Sequence, residues 1–244
     1  MICESQILCP SYRNSVTIGA RMKANSKCQV LGLGAGGHAR VVLDAIREAG
    51  EYEVVGLIDL SEATTGKFVD GVEIVGSEAH LEELYRHGIR HVFNGIGGIS
   101  DNTLHADVYR RVGQQGFEFV TVVHPKATIS KTVSIDAGSV LLAGAVVNAG
   151  SIIGTNVIVN TNATIEHECQ IGHHVHIAPG AILAGKVRIG DHAHIGAGAI
   201  IRQGLTVGDQ AIVGAGAVVV KNVPAGMCVI GVPARPYYKY AVLS

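Results

Sequence analysis

The chain has 244 residues, enough for two domains of ordinary size, with 16% charged residues and a formal net charge of −1. We therefore expect no general attraction to nucleic acid or anionic lipid, and no segment reaches the roughly 18 consecutive apolar residues of a membrane helix. Glycine accounts for 32 residues and aromatic residues for 5%. This composition favours short aliphatic strands and tight turns over helix bundles.

The N-terminal segment and the cysteines bear on the compartment. Residues 1–28 lack the apolar core of a signal peptide and any clear periodicity, so we expect either a disordered extension or a natural start at Met22. The five cysteines show no CxxC pair and no zinc-ligand spacing. Reduced thiols in a cytoplasmic protein are the expectation.

Residues 29–123 alternate between apolar runs and amphipathic stretches. The predicted strands are 29–33, 53–59, 91–94 and 118–122, and the predicted helices are 38–49, 77–87 (with Ser77 as N-cap) and 101–115. Alternation of this kind predicts a small, Rossmann-like α/β domain with a parallel sheet.

A six-residue repeat begins after His124–Pro125. Sixteen consecutive positions spaced six residues apart are all aliphatic: Ile129, Ile135, Leu141, Val147, Ile153, Val159, Ile165, Ile171, Ile177, Leu183, Ile189, Ile195, Ile201, Val207, Val213 and Val219. A small residue often lies two positions earlier, and glycine often lies one position later, as at Gly154 and Gly172.

This period fits neither an α-helix nor an alternating strand, but it fits a short strand followed by a sharp turn. Three units would close one triangular coil, with the aliphatic residue inside and the following glycine supplying the turn dihedrals. We therefore predict an all-β parallel β-helix over residues 124–236, followed by a tail at 237–244.

A glycine-rich sequence lies between the first predicted strand and helix. Gly32, Gly34 and Gly37 satisfy GxGxxG, and Asp59 follows 22 residues after Gly37, at the end of the next strand. Such a loop brings backbone N–H groups to a diphosphate. With only about 95 residues before the repeats, a mononucleotide or a nucleotide sugar fits better than a dehydrogenase cofactor. The alternative is that these glycines serve only a tight turn.

A second group of polar residues lies within a repeat turn, at Glu166-His167-Glu168. A histidine can accept a proton at neutral pH, and a carboxylate on its other ring nitrogen would select the tautomer. The sequence leaves open which of the two acids does so. Gly185 lies one 18-residue coil after His167. If His167 faces the thioester carbonyl of an acyl donor, we expect the Gly185 N–H near the same carbonyl.

Gly-Ala-Gly-Gly-His-Ala-Arg-Val-Val at 34–42, followed by hexapeptide repeats, resembles the sugar acetyltransferases of the sialic acid and bacillosamine type over residues 29–236. The resemblance implies a left-handed β-helix, a homotrimer and acetyl-CoA as donor. It implies His167 as general base with Glu168 orienting its ring, and a nucleotide sugar held by the small domain, for which the candidates are Gly34, Gly36, Gly37, His38 and Asp59.

The resemblance also implies that His176, nine residues after the base, lies near acetyl-CoA. The C-terminal segment around Gly231-Val232-Pro233-Ala234-Arg235 resembles the part of the family that runs along CoA. Arg235 and Lys221 are therefore candidates for its phosphates, or else ordinary surface charges. Because His167 and His176 are half a coil apart, a shared site would require two subunits.

The expected function is N-acetylation of a nucleotide-linked amino sugar, a UDP-linked 4-amino-4,6-dideoxy sugar, for surface glycan or glycoprotein biosynthesis, without a metal. A sialic acid type O-acetyltransferase is the near alternative. A γ-type carbonic anhydrase is an alternative of another class, because five histidines offer imidazoles: His173, His174, His176, His192 and His194. A non-catalytic nucleotide-sugar binding protein or scaffold is the third.

Overall fold

The computed structural model of the protein describes residues 27–98 and 102–237. The predicted N-terminal extension up to residue 26 and the predicted tail from residue 238 lie outside the described residues. An α/β unit is followed by a left-handed parallel β-helix, as predicted. No helix within the described ranges is long and apolar enough to cross a membrane.

The α/β unit is built on a six-stranded sheet in the order β3-β4-β2-β1-β5-β6. Its strands are β1 (Cys28–Leu33), β2 (Tyr52–Asp59), β3 (Phe68–Val69), β4 (Val72–Ser77), β5 (His91–Asn94) and β6 (Glu118–Phe119). Its helices are α1 (Gly37–Ala49), α2 (Leu81–Arg86) and α3 (Thr103–Gln114), with single 3-10 turns at Glu62–Thr64 and Glu78–His80. All neighbouring strands are parallel except β3 and β4. The strand order reverses at β1, because β2 is added on one side of β1 and β5 is later added on the other. The loops after β1 and β5 therefore lie side by side.

Two elements differ from the sequence-based expectation. Ser77 ends strand β4, which was not predicted, and the predicted helix 77–87 is reduced to a 3-10 turn and the short α2. The reason is a hairpin at Asp70 and Gly71, both with positive φ, which lets Val72–Ser77 return to the sheet. The predicted strand 118–122 is also split, because Glu118–Phe119 pairs with β5 whereas Val122–Val123 pairs with a strand of the β-helix.

The β-helix is a triangular prism with three faces of parallel strands. The first face contains Val122–Val123, Val140–Leu141, Ile158–Val159, His176–Ile177, His194–Ile195, Ile212–Val213 and Cys228–Ile230, closed by the antiparallel Arg235–Pro236. The second face contains Thr128–Ile129, Val146–Val147, Thr164–Ile165, Ile182–Leu183, Ile200–Ile201 and Val218–Val219. The third face contains Ser134–Ile135, Ile152–Ile153, Gln170–Ile171, Arg188–Ile189 and Thr206–Val207. We call the turns from the second to the third face the second corner.

The sixteen periodic aliphatic residues end these strands and point into the prism. From Leu141 onward every one of them is at most 3% exposed. The small residues two positions earlier are also buried, as at Ala163 and Cys169. The hydrophobic core is therefore a continuous column, in which each coil is covered by the next.

The role predicted for the glycines that follow the aliphatic residue was wrong. Gly154 and Gly196 do not have positive φ; instead, a Cβ at either position would lie 2.6 Å from backbone atoms of the next coil. These glycines permit close stacking of coils. The left-handed conformation occurs two residues later, as at Asn156 and Gly198.

The α/β unit covers the first face. The outward residues Val140 and Ile158 are each 1% exposed, and the described contacts from α1, β5 and α3 all reach this side of the prism. On the second face, Ile182 and Ile200 are each 41% exposed. The second corner lies opposite the first face and is also uncovered.

Candidate active site

The turn that carries His167 is held rigidly at the second corner. Ser151, one coil earlier, donates its hydroxyl to the Glu166 carbonyl at 2.8 Å and accepts the N–H of Cys169 at 3.1 Å. Because both ends of the turn are bonded to one buried side chain, His167 projects outward at its tip. Its side chain is 49% exposed.

Glu168 is the acid that contacts His167. The His167 Nδ1 atom lies 3.0 Å from Glu168 Oε2, whereas the carboxylate of Glu166 accepts a hydrogen bond from Asn148 Nδ2 at 3.0 Å. The bond to His167, and then the charge of Lys186, lower the pKa of the Glu168 carboxyl. An ionised Glu168 favours the tautomer with the proton on Nδ1, which leaves Nε2 able to accept a proton.

Gly185 lies directly against the His167 ring, as the coil arithmetic predicted. A Cβ at position 185 would be 2.5 Å from His167 Nε2, so a side chain there would displace the imidazole. The Gly185 N–H forms none of the coil-to-coil backbone hydrogen bonds found in the described residues, whereas that of Lys186 bonds to the His167 carbonyl at 2.9 Å. A donor N–H and a basic nitrogen thus lie side by side.

A separate cavity of about 540 Å³ lies where the α/β unit meets the first face. All five residues predicted to bind the nucleotide sugar line it: Gly34, Gly36, Gly37, His38 and Asp59. A Cβ at Gly36 or Gly37 would meet no atom within 4 Å, so a side chain there would enter the cavity. Both glycines leave room for a ligand to approach the start of α1, where backbone N–H groups are unpaired.

The other two glycines of this motif are required for different structural reasons. At Gly32, inside β1, a Cβ would lie 2.4 Å from Leu57 and Phe93, so this glycine serves core packing. Gly34 has φ +95°, and its Cβ would lie 2.8 Å from Ile96. Gly34 therefore allows both the turn and the close approach of the neighbouring loop.

Sequence reasoning missed two parts of this cavity. Gly95, Gly97 and Gly98 follow β5 and form a second glycine loop beside the first, and Asn160 contributes from the β-helix. The sequence signal for the loop was Gly-Ile-Gly-Gly directly after the correctly predicted strand 91–94. Asn160 had no signal, because only domain packing brings it there.

His176 lies in this cavity rather than beside the other residues expected at acetyl-CoA. It is 7% exposed, its Nδ1 donates to the Gly98 carbonyl at 2.8 Å, and its Nε2 lies 3.1 Å from Asn160 Nδ2. Burial, and then the neighbouring His194, lower the pKa of His176 to about 3. His176 is therefore a neutral residue that joins the β-helix to the second glycine loop. It lies on the opposite side of the prism from His167.

Lys221 and Arg235 share the wall of another cavity, of about 320 Å³, near the C-terminal end of the prism. Lys221 lies three coils after His167 in the same corner, which corresponds to about 14 Å along the prism. His167, Gly185 and Lys221 are therefore aligned along one edge of the molecule. An extended ligand could contact all three.

Three of the five histidines considered for a metal site, His174, His176 and His192, lie at the contact between the two units. Within residues 27–98 and 102–237, no three or more His, Cys, Asp or Glu side chains are arranged to hold a metal ion. His174 stacks on His192 with ring centroids 4.9 Å apart, and Asn102 Nδ2 donates to the carbonyls of both. Burial, and then His192, lower the pKa of His174 to about 4.

Comparisons with known proteins agree with this arrangement. Residues 29–112 match the PglD N-terminal domain, and residues 186–221 match the hexapeptide repeat of succinyl-transferase. The GDP-perosamine N-acetyltransferase of Escherichia coli O157:H7 is 32% identical over 157 residues, which is 63% of this chain and 69% of the relative. The chain belongs to the hexapeptide-repeat sugar N-acyltransferase family.

Two solved structures of the family are similar over most of the chain. PerB from Caulobacter crescentus, in complex with CoA and GDP-perosamine, is 36% identical with a TM-score of 0.80, over 90% of this chain and 100% of that one. The acetyltransferase domain of PglB from Neisseria gonorrhoeae, in complex with acetyl coenzyme A, is 37% identical with a TM-score of 0.79, over 87% and 100%. The chain is accordingly an acyltransferase that uses acetyl-CoA.

Proposed function

We propose that the protein transfers an acetyl group from acetyl-CoA to the amino group of a nucleotide-linked amino sugar. The observation that carries the proposal is the arrangement of His167, with Nδ1 bonded to Glu168 and Nε2 against the Gly185 backbone. A base and a backbone donor in contact match what acyl transfer to an amine requires.

In the proposed reaction the sugar amine attacks the thioester carbonyl, so that a C–N bond forms and the C–S bond breaks. His167 Nε2 accepts the proton that the amine loses, and Glu168 stabilises the resulting imidazolium. The proton then passes to the departing thiolate. The Gly185 N–H donates to the carbonyl oxygen as negative charge develops on it. Lys221 and Arg235 bind the phosphates of CoA.

The sugar nucleotide binds in the cavity between the two glycine loops. Its diphosphate contacts Gly34, Gly36 and Gly37 at the start of α1, next to His38, and Asp59 accepts a ribose hydroxyl. Asp59 already accepts from the Leu60 N–H and the Thr64 hydroxyl at 2.9 Å, but each carboxylate oxygen has a second lone pair.

The acetyl-transfer site is formed by two subunits of a homotrimer. His167 and the sugar cavity lie on opposite sides of one prism, so a single subunit cannot bring them to one substrate. The second face carries the exposed Ile182 and Ile200 on a flat surface, which suits burial against another prism. Sedimentation of the wild-type protein as a monomer would contradict this proposal.

The first candidate for the acceptor is a UDP-linked 4-amino-4,6-dideoxy sugar, destined for a surface glycan or glycoprotein. The second is GDP-perosamine, because relatives that are 32% and 36% identical are named for it or bind it. CoA release with UDP-, GDP-, dTDP- and CMP-linked amino sugars would distinguish the candidates. Mass spectrometry of the product would separate N- from O-acetylation.

His167→Ala tests the mechanism. We expect a fall in turnover of about 100-fold or more with the fold unchanged, as for loss of a general base. Glu168→Gln should also lower turnover, whereas Glu166→Gln is the matched control because its carboxylate contacts Asn148 instead. Near-normal turnover of folded His167→Ala would remove this residue from the mechanism.

A further inference from the structure

The second corner contains two residues in an unusual backbone conformation. Throughout the prism, the third residue after each inward aliphatic residue has positive φ from position 138 to 216, and half of these fourteen residues are glycine. In the second corner this column contains Gly150, Glu168, Lys186 and Gly204. Glu168 has φ +58° and Lys186 has φ +62°, so both are held in a region that glycine favours.

The shared conformation places the two side chains next to each other. Glu168 and Lys186 are one coil apart, about 4.8 Å along the prism. Lys186 Nζ lies 3.7 Å from Glu168 Oε2, the same oxygen that lies 3.0 Å from His167 Nδ1. The Lys186 N–H also bonds to the His167 carbonyl. Lys186 thus contacts both the acid and the backbone of the residue that the acid orients.

We propose that Lys186 is a positioning residue for acetyl transfer, which holds the Glu168 carboxylate ionised and directed at His167 Nδ1. The inference rests on the proposed role of His167 as the base. Both side chains of the ion pair are 58% exposed, so the contact adds little to the stability of the fold. Its effect is on orientation, because an exposed carboxylate without this contact samples other rotamers and leaves Nδ1.

Among the described residues, Glu168 forms ion pairs only with His167 and Lys186. Glu166 is hydrogen-bonded to Asn148, and Arg202 lies two coils after Glu166. Lys131 lies two coils before His167. Lys131 therefore offers a matched control, because it is a lysine of the same corner without a contact to Glu168 among the described residues.

The test compares Lys186→Gly, Lys186→Met, Lys186→Arg and the control Lys131→Met. Lys186→Gly is informative because glycine favours this backbone conformation, as at Gly150 and Gly204, so lost activity cannot be assigned to misfolding. We expect kcat to fall about two- to fivefold in the Gly and Met variants, which is the size of effect that an exposed charge contact supplies, while both KM values change less than kcat does. The arginine variant should recover most of kcat, and Lys131→Met should match wild type.

Two further readouts distinguish positioning from other roles. Without the ammonium group the Glu168 pKa rises, so in ¹³C NMR spectra the Glu168 side-chain carboxyl should titrate at higher pH in Lys186→Met than in wild type. In ¹⁵N NMR spectra of the substrate-free protein, His167 should be the Nδ1–H tautomer in wild type and a mixture of tautomers in Lys186→Met. Unchanged kcat, carboxyl titration and tautomer would overturn the proposal, and so would a rise only in the KM for acetyl-CoA. The NMR result does not depend on activity, so it stands even where His167→Ala shows that the proposed function fails.

Discussion

At the scale of single residues, Gly185 separates a catalytic effect from a structural one. In Gly185→Ala the three atoms nearest to the new Cβ would all belong to the movable ring of His167, the first at 2.5 Å. We expect turnover to fall about tenfold or more, because the base is displaced while the coil stays intact. Steady-state kinetics together with thermal unfolding would measure the two effects.

Gly196→Ala is the matched comparison for that substitution. Its Cβ would meet backbone atoms of the next coil at 2.6 Å, which cannot move without disturbing the stacking. We expect a loss of stability of roughly 1–3 kcal/mol, as for overpacked sites. If Gly185→Ala were instead destabilised as strongly as Gly196→Ala, our account of Gly185 would be wrong.

Some residues of the site could be predicted from the sequence, and others could not. The 18-residue length of one coil predicts that Gly185 stacks on His167, because the repeat determines which residues lie above one another. It left Glu166 and Glu168 undecided, because both flank the histidine. The structure separates them through the turn: Glu168 has positive φ and turns its carboxylate to His167, whereas Glu166 lies beside Asn148.

At the scale of elements, the loop between β1 and α1 yields a test of the proposed nucleotide-sugar site. Gly36 has an extended backbone with φ −85°, and a side chain there would meet only the cavity. Gly36→Val should therefore lower affinity for the nucleotide sugar at least tenfold without straining the loop, while acetyl-CoA binding is unchanged. Calorimetry with each ligand separately would measure this.

Gly34→Val provides the contrast in the same loop. It should weaken nucleotide-sugar binding too, but it should also lower stability, because Gly34 has positive φ and its Cβ would meet Ile96 at 2.8 Å.

Equal loss of affinity for both ligands in Gly36→Val would count against two distinct sites.

The contact between the α/β unit and the first face predicts sensitivity to acid. Burial lowers the pKa of His38 and His174 to about 4 and that of His176 to about 3, from 6.5. Between pH 6.5 and these lower pKa values, the unfolded chain binds more protons than the folded chain. The contribution of the neutral histidines to stability is therefore complete above pH 6.5 and is lost as the pH is lowered toward 4. For His176 alone the loss at pH 5 is about 2 kcal/mol.

Urea denaturation at pH 7 and at pH 5 would measure this loss. His176→Gln removes one titrating group but retains a side chain that can bond to Gly98 and Asn160. Its stability should therefore depend less on pH than that of wild type over this interval. The same pH dependence in both proteins would show that His176 does not contribute.

At the scale of the whole molecule, the site between subunits can be tested by mixing two inactive variants. His167→Ala removes the base from the second corner, and Gly36→Val blocks the cavity on the other side of the prism. In hybrids, some clefts combine an intact corner from one subunit with an intact cavity from its neighbour. Random equimolar assembly should restore about one quarter of wild-type activity, because each cleft draws its two halves independently.

This pair is preferable to a mixture of His167→Ala and His176→Ala, because the bonds of His176 to Gly98 and Asn160 give it a structural role. Each variant alone should remain inactive after the same unfolding and reassembly. If hybrids verified by mass spectrometry stay as inactive as the parents, the site does not combine these two surfaces.

The amino-acid pattern was sufficient to predict the β-helix, the first glycine loop and the candidate base. These features are local or periodic: one buried residue every six positions requires short strands and sharp turns, and the same period fixes which residues stack. The second glycine loop could have been found in the same way, since it follows a predicted strand.

The tertiary structure was needed to show that His176 lies in the cavity between the α/β unit and the first face. The nine-residue spacing alone predicts that His167 lies on the opposite side of the prism from His176. His176 meets Gly98, 78 residues away, because the α/β unit packs on the first face and not on the second or third. No repeat or motif encodes that choice. It depends on the fit of two complete surfaces, whose buried residues come from distant parts of the chain.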